Sequence, residues 1–188
     1  MKKQLLTGLL TLAMGIAAHA VPITGNITFF GTASLDTASA GTATKVTGWN
    51  GLGGVGSPFV AIADGNFLPF VTAGDAVAFT APWSFNSGAL AALCAVDGFT
   101  FDLISSSITS QGGSPAGVVV NGTGTLSGHG FTATQGSWSF TTQDPSAGIP
   151  AKFTFSAAGG FVPDGGSTVV LLGAALAGLG VVRRSLKK

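Results

Sequence analysis

The sequence predicts an all-β protein, with a single antiparallel β-sandwich or jelly-roll-like domain followed by one short C-terminal transmembrane helix. Apolar side chains alternate with Thr, Ser and Gly over several short segments, as in strands that bury one face. Gly recurs every few residues and Glu is absent from the chain, which disfavours long helices in the body. A partly closed barrel fits the same pattern of strands and turns, and the strand order stays open.

The first region, residues 1–20, has the features of a secretory signal peptide. A basic start, Met1–Lys3, precedes an apolar run over residues 5–18. Ala18 and Ala20 then satisfy the small-x-small rule for cleavage. Signal peptidase is therefore an expected partner, and the chain is expected to enter the secretory pathway.

The second region, residues 21–161, is predicted to be an exported β-rich domain of about 140 residues, which is enough for one hydrophobic core. Five segments place their apolar residues at one parity, so each is expected to bury one face. These residues are Ile23, Gly25, Ile27 and Phe29; Val77 and Phe79; Phe99, Phe101 and Leu103; Trp138 and Phe140; and Phe153 and Phe155.

Two local patterns within the body predict breaks in this series of strands. Asn121-Gly122 is a typical hairpin turn, expected to join strands over 116–120 and 123–126. The Ala- and Leu-rich run 89–96 is the one segment that predicts a helical turn, and Asp97-Gly98 is expected to end it.

The charge of the body argues against nucleic acid as a partner. Although the whole chain carries a formal charge of +1, six of its eight basic residues lie in the two terminal regions. The body retains only Lys45 and Lys152 against six aspartates, a net charge of −4. Nucleic-acid binding normally requires clustered Lys and Arg, so this function class is excluded.

The third region, residues 162–188, combines a turn, an apolar helix and a basic stop. The turn is Val162, Pro163, Asp164, Gly165 and Gly166. Residues 167–182 carry no charge and would span about 24 Å as a helix, which is short for a bilayer and leaves a core helix as the alternative. The basic stop over 183–188, with Arg183 and Arg184, favours a membrane helix whose charges stay cytoplasmic.

This tail resembles the PEP-CTERM class of bacterial C-terminal sorting signals, most closely the variant that reads Val-Pro-Asp-Ser-Gly. The motif at residues 162–166, the apolar segment and the pair Arg183 and Arg184 correspond to it. Gly165 stands where that variant has Ser, so a small turn residue is retained. The resemblance covers only the tail.

The resemblance implies a route for the protein. Proteins with such tails are exported, held in the inner membrane by the tail helix and recognised by an exosortase, a membrane-embedded cysteine transpeptidase-like protein. The tail is then removed, and the body is released or attached at the surface of cells that make extracellular polysaccharide. The expected partners are thus an exosortase, the inner membrane for a time, and extracellular polysaccharide.

Residues that could carry chemistry are few, and no catalytic residue, cofactor or metal is expected. After signal cleavage His129 is the sole histidine, and its position between two glycines predicts an exposed turn; a Ser-His-Asp site that uses it is the alternative. The candidates for a carboxylate pair are Asp64, Asp75, Asp97 and Asp102. Asp64-Gly65-Asn66 and Asp97-Gly98 are candidates for calcium ligation, although such sequences are first of all turn formers.

Three tryptophans and one cysteine complete the candidates. Trp49, flanked by Gly48 and Asn50, is the best candidate for an exposed ligand-binding aromatic residue. Trp83 and Trp138 share their parity with neighbouring phenylalanines and are predicted to lie in the core, as is the lone Cys94. No intrachain disulfide is possible with one cysteine.

The predicted function is that of an exported, non-enzymatic surface or extracellular-matrix protein, associated with exopolysaccharide or biofilm. A carbohydrate-binding module is the alternative, and a secreted hydrolase is the third hypothesis.

Overall fold

A computed structural model describes residues 21–144 and 151–159, and these residues form ten β-strands and one short 3-10 helix, Gly65–Phe67. The strands are β1 Gly25–Leu35, β2 Lys45–Asn50, β3 Phe59–Ala63, β4 Ala78–Phe79, β5 Trp83–Ser84, β6 Leu90–Val96, β7 Phe99–Gly112, β8 Gly117–Gly128, β9 Thr134–Gln143 and β10 Ala151–Gly159. The all-β prediction is therefore confirmed for this part of the chain.

All ten strands belong to one antiparallel sheet, in the order β4-β6-β7-β8-β9-β10-β1-β2-β5, with β3 also paired to β1. The sheet is strongly curled into a half-barrel. The two packed sheets of the expected sandwich are thus replaced by one sheet that wraps around its own core. The local strand pattern is the same in both architectures, which is why it does not distinguish them.

The two end strands of this order, β4 and β5, are joined by residues 80–82 alone. Thr80 in this link bonds to both sides: its backbone N–H donates to the Leu93 carbonyl oxygen at 2.9 Å, and its own carbonyl accepts from Trp49 Nε1 at 2.8 Å. Leu93 lies on β6 and Trp49 on β2. The link therefore ties the two margins of the curled sheet together.

The core fills the concave side of the sheet with aromatic and aliphatic side chains. The predicted parity is confirmed, because the inward residues of β1, β7, β9 and β10 are buried. These are Ile27 and Phe29; Phe99, Phe101 and Leu103; Trp138 and Phe140; and Phe153 and Phe155. Cys94, Trp83 and Trp138 are buried as well, as predicted.

The helical turn expected over 89–96 is wrong, because Leu90–Val96 is strand β6. Its pairing with β4 and β7 overrides the helix propensity of its alanines and leucines. Ala92 takes a positive φ of 49° at a break in the register with β7. Asp102 accepts a hydrogen bond from the Ala92 N–H at 2.7 Å, and Thr80 donates to the Ala92 carbonyl at 2.6 Å.

The hairpin expected at Asn121-Gly122 is also wrong, because β8 passes through both residues without a turn. The two glycines of this part of β8 have a different purpose. A Cβ on Gly122 would overlap the Ser105 carbonyl oxygen and would lie 2.8 Å from Trp138 Nε1, and one on Gly124 would overlap the Phe101 ring. Glycine is therefore required at 124 mainly by a large core ring, and at 122 by a neighbouring backbone carbonyl as well as a ring.

Candidate functional site

A shallow groove of about 420 Å³ crosses the outer face of β8, β9, β10 and β1. Its outward-facing side chains are all uncharged: Asn26, Asn121, Ser137, Ser139, Ser156 and Ala158. The two asparagines lie on the outer strands β1 and β8, and the small serines and alanine lie on the two strands between them. This arrangement follows from alternation, since the residues between them on β9 and β10 point into the core.

The groove continues a cross-strand row of hydroxyl and amide groups. Asn121 pairs with Ser139, Ser139 with Ser156, and Ser156 with Thr28. The Thr28 and Ser156 hydroxyl oxygens lie 3.0 Å apart, and Asn121 Nδ2 donates to the Thr109 hydroxyl at 3.3 Å. Neighbouring donors and acceptors of this row thus lie on adjacent strands, which are about 4.8 Å apart. Such a surface suits a neutral ligand with many hydroxyl groups.

An exposed aromatic ring lies beside this row. Phe30 is 38% exposed and pairs with Thr154 and Phe59 on the outer face, and Ile62 opposite Thr28 is 64% exposed. Sequence reasoning missed Phe30. The doublet Phe29-Phe30 contains the signal, because successive side chains of a strand face opposite sides and one ring must point outward.

Trp49, the aromatic residue expected to be exposed, is half-buried at the margin of the core. Its ring stacks on Phe79 at a centroid distance of 4.6 Å, and the Phe153 ring meets it at 4.8 Å. Because its Nε1 also bonds to Thr80, both its ring and its polar group are engaged within the fold. Ligand binding at Trp49 stays a prediction, and little of the Trp49 ring surface is free to contact a ligand.

His129 is exposed at the turn after β8, as predicted, with a φ of 48°. Its ring stacks on Phe70 at 3.8 Å and lies 4.6 Å from the Phe99 ring. Nε2 donates to the carbonyl oxygen of Asp97. The histidine thus joins two loops at one end of the sheet through contacts with aromatic rings and a backbone carbonyl.

Most of the candidate aspartates bind backbone groups. Asp64 accepts from the Asn26 N–H at 2.6 Å, and Asp102 accepts from Ala92 as described above. Asn66, the other proposed calcium ligand, accepts from the Thr24 N–H at 2.7 Å. The turn role expected of Asp64-Gly65-Asn66 is therefore observed. Among the residues described, no group of three or more His, Cys, Asp or Glu side chains is placed to hold a metal ion.

Asp75 and Asp97 are the one pair of candidate carboxylates that the fold brings together. The backbone N–H and then the hydroxyl of Thr72 lower the pKa of Asp75. Partial loss of water, followed by the hydrogen bond and negative charge of Asp75, raises the pKa of Asp97 against the opposing charge of His129. The two carboxyls therefore influence each other across two loops, where Asp97 is exposed and Asp75 is half-buried.

Several predicted sites lie outside the described residues. They are the cleavage residues Ala18 and Ala20, the motif Val162, Pro163, Asp164, Gly165 and Gly166, and the membrane stop Arg183 and Arg184. The helix expected over 167–182 lies outside them too. Within 21–144 and 151–159, no helix is long and apolar enough to cross a membrane.

Comparison with known proteins identifies the tail. In general terms, the described part of the chain is all-β, and its C-terminal tail is a sorting signal of the PEP-CTERM kind, which exosortases process. More particularly, residues 162–186 match the family model of the VPDSG-CTERM motif. The resemblance seen in the sequence is thereby confirmed, and the motif implies an exported protein of the cell surface. Searches of curated proteins and of solved structures found no match.

Proposed function

We propose that this chain is a non-enzymatic component of the cell surface or extracellular matrix. The observation that carries the proposal is the VPDSG-CTERM motif at residues 162–186. The precursor is held in the inner membrane by the tail until an exosortase removes it, and the body then acts by its surface. Support for a non-enzymatic role comes from the use of Asp64 and Asp102 as backbone acceptors.

Intact-mass spectrometry of the protein from native cell fractions tests this route. We expect a mature mass that lacks about residues 165–188, in the surface or medium fraction, and full retention of the tail in cells without the exosortase. Asp164→Ala in the motif should retain the tail, whereas Val55→Ala in an exposed loop should not. Mature protein with Arg183 and Arg184 still present would mean a permanent anchor, and soluble cytoplasmic protein would overturn the proposal.

A second candidate function is the binding of a neutral polysaccharide in the outer groove. Its support is the row of uncharged hydroxyl and amide groups that ends beside the exposed ring of Phe30. Hydroxyl and amide side chains can pair with sugar hydroxyls, and an aromatic face can pack on the apolar face of a sugar ring. The described residues of the lining are uncharged, and the one carboxylate at its edge, Asp64, accepts from Asn26 Nδ2 at 3.3 Å, which together favour a neutral polymer over an acidic one.

Pull-down with the neutral and acidic polysaccharides of the producing cells tests this second function. Asn121→Ala and Phe30→Ser should each weaken retention of the neutral polymer severalfold. Gln143→Ala is the matched control, since Gln143 is an exposed amide on the same face of β9, four residues or about 13 Å from Ser139. If all three variants retain the neutral polymer equally well, or if the protein retains neither polymer, the groove is not the binding site.

A further inference from the structure

Both connections of the body to the terminal regions leave from one end of the sheet. At this end, here called the tail end, β1 begins and β10 finishes, and Gly159 pairs with Gly25. The Thr132 N–H donates to the Val21 carbonyl at 2.9 Å, which holds the start of the body beside the same strands. The two apolar segments that the sequence predicts to enter the membrane are therefore attached to the same end of the domain.

The tail end also carries exposed apolar side chains. Val21 is 60% exposed, Leu68 61% and Phe70 40%; these three residues are called the apolar rim. Phe70 is fixed by its stacking on His129 and by its contact with Phe131, whose ring centroid lies 6.3 Å away. The rim therefore has a defined position on the fold.

The loop that bears Leu68 is fixed to the first strand. The Asn66 N–H donates to the Thr24 carbonyl at 2.8 Å, and the Asn66 side chain accepts from both the N–H and the hydroxyl of Thr24. Gly159, the last residue that the structure describes before the tail, lies directly against Ile23. Leu68 is thus close to the point at which the tail leaves the body.

The tether between body and tail is short. Seven residues separate Gly159 from Ser167, the first residue of the predicted membrane helix, and even fully extended they span about 28 Å. Strand β7, which runs away from the tail end, is 14 residues or about 45 Å long. The body therefore cannot turn its opposite end to the bilayer while the tail is inserted.

Charge does not supply this attraction. Of the body's two lysines, Lys152 lies at the start of β10 and Lys45 at the start of β2, both away from the tail end. Asp64, Asp75 and Asp97, in contrast, lie in its loops and outnumber the one α-amino group that the predicted cleavage before Val21 would place there. A lipid contact at this end must come from apolar burial and should not require anionic lipid.

We propose that the apolar rim rests in the lipid interface while the precursor is anchored by its tail, which presents the motif at 162–166 to a membrane-embedded enzyme in a restricted orientation. This inference rests on the membrane anchoring stated under the proposed function. Contact is weak by itself and is made persistent by the tether, which keeps the rim at high effective concentration near the surface.

Site-directed fluorescence on the full chain tests the rim. Leu68→Cys supplies one exposed thiol for an environment-sensitive label, since Cys94 is buried. Val55→Cys is the matched control: Val55 is 81% exposed, in the loop between β2 and β3, about 20 Å along β1 from the tail end. Each labelled chain is reconstituted in phosphatidylcholine vesicles, with and without phosphatidylglycerol, and a lipid-bound quencher is added.

We expect severalfold stronger quenching of the label at position 68 than at position 55, with no gain from phosphatidylglycerol. Flotation of the vesicles separates the two claims. A chain that floats but shows equal quenching at both positions overturns the rim and leaves the anchoring intact, whereas a chain that does not float overturns both. Quenching that needs anionic lipid, crowded vesicles or added exosortase would assign the contact to charge, to a second copy or to the enzyme, and would overturn the proposal.

Discussion

Substitution of Gly124 by alanine tests whether glycines in β8 exist to admit aromatic rings. A Cβ on Gly124 would overlap the Phe101 ring and would lie 2.7 Å from the Asp102 carbonyl oxygen. The ring is fully buried and the second obstacle is backbone, so neither can move freely. Overpacking of this kind costs about 1–3 kcal/mol, and the upper part of that range applies here.

The reduced entropy of the unfolded chain offsets about 0.5–1 kcal/mol of this cost, because alanine is less free than glycine. The net loss in the free energy of unfolding is therefore about 2 kcal/mol, or about 8 °C in Tm for a domain of this size. Urea unfolding followed by tryptophan fluorescence measures it on the full chain.

Gly48→Ala is the matched control. Gly48 lies in β2, and the nearest atom to an added Cβ is Ser34 Cβ at 3.8 Å, an ordinary contact. This variant should be unchanged or more stable by about 0.5 kcal/mol. If Gly124→Ala unfolds at the same urea concentration as Gly48→Ala, the steric account of the β8 glycines is refuted.

Three further predictions concern individual side chains. Cys94 is buried and burial raises its thiol pKa, so a thiol reagent should label it only as fast as the protein unfolds; rapid labelling of the native protein would contradict its burial. The pKa of Asp97 is raised in the fold. Its favourable contribution to the free energy of unfolding is therefore present below pH 3.8, the ordinary pKa of the group, and is lost as the pH rises through the folded pKa. Asp97→Asn should therefore raise Tm at pH 7 but not well below 3.8, whereas Asp75→Asn should lower Tm at pH 7 because Asp75 has a lowered pKa; thermal unfolding at the two pH values checks both signs. Asp144 accepts from the Ala40 N–H at 2.6 Å and the Ser39 hydroxyl at 2.9 Å, so Asp144→Ala should cost about 1–3 kcal/mol in urea unfolding, and a loss near zero would mean that water replaces both bonds.

Local sequence patterns predicted which residues face the core, and not how the strands are arranged. Alternation placed Phe153 and Phe155 inside because the two faces of a strand are determined by the strand itself. The run 89–96 was misread because its alanines and leucines favour a helix in isolation, while hydrogen bonds from β4 and β7 make it a strand. Its partner β7 begins only three residues after Val96, so Asp97-Gly98, which was interpreted as the end of a helical turn, is the turn of a β-hairpin.

The same limit applies to the candidate site. Asn26 and Asn121 are 95 residues apart in the chain, and only the pairing of β8, β9, β10 and β1 brings them to one groove. Trp49 looked exposed because glycine and asparagine flank it. Its burial depends on closure of the sheet at Thr80, which no feature near Trp49 encodes.

The sequence by itself determined the all-β class, the inward face of the main strands and the VPDSG-CTERM motif at 162–186, since each depends on neighbouring residues. Tertiary structure alone decided that the strands form one curled sheet, that Gly122 and Gly124 make room for rings, and that Val21 and Gly159 leave from the same end. The physical reason is that strand pairing satisfies backbone hydrogen bonds between segments far apart in the chain. The sequence of a strand indicates that the strand needs a hydrogen-bonding partner, but it does not indicate which other strand is that partner.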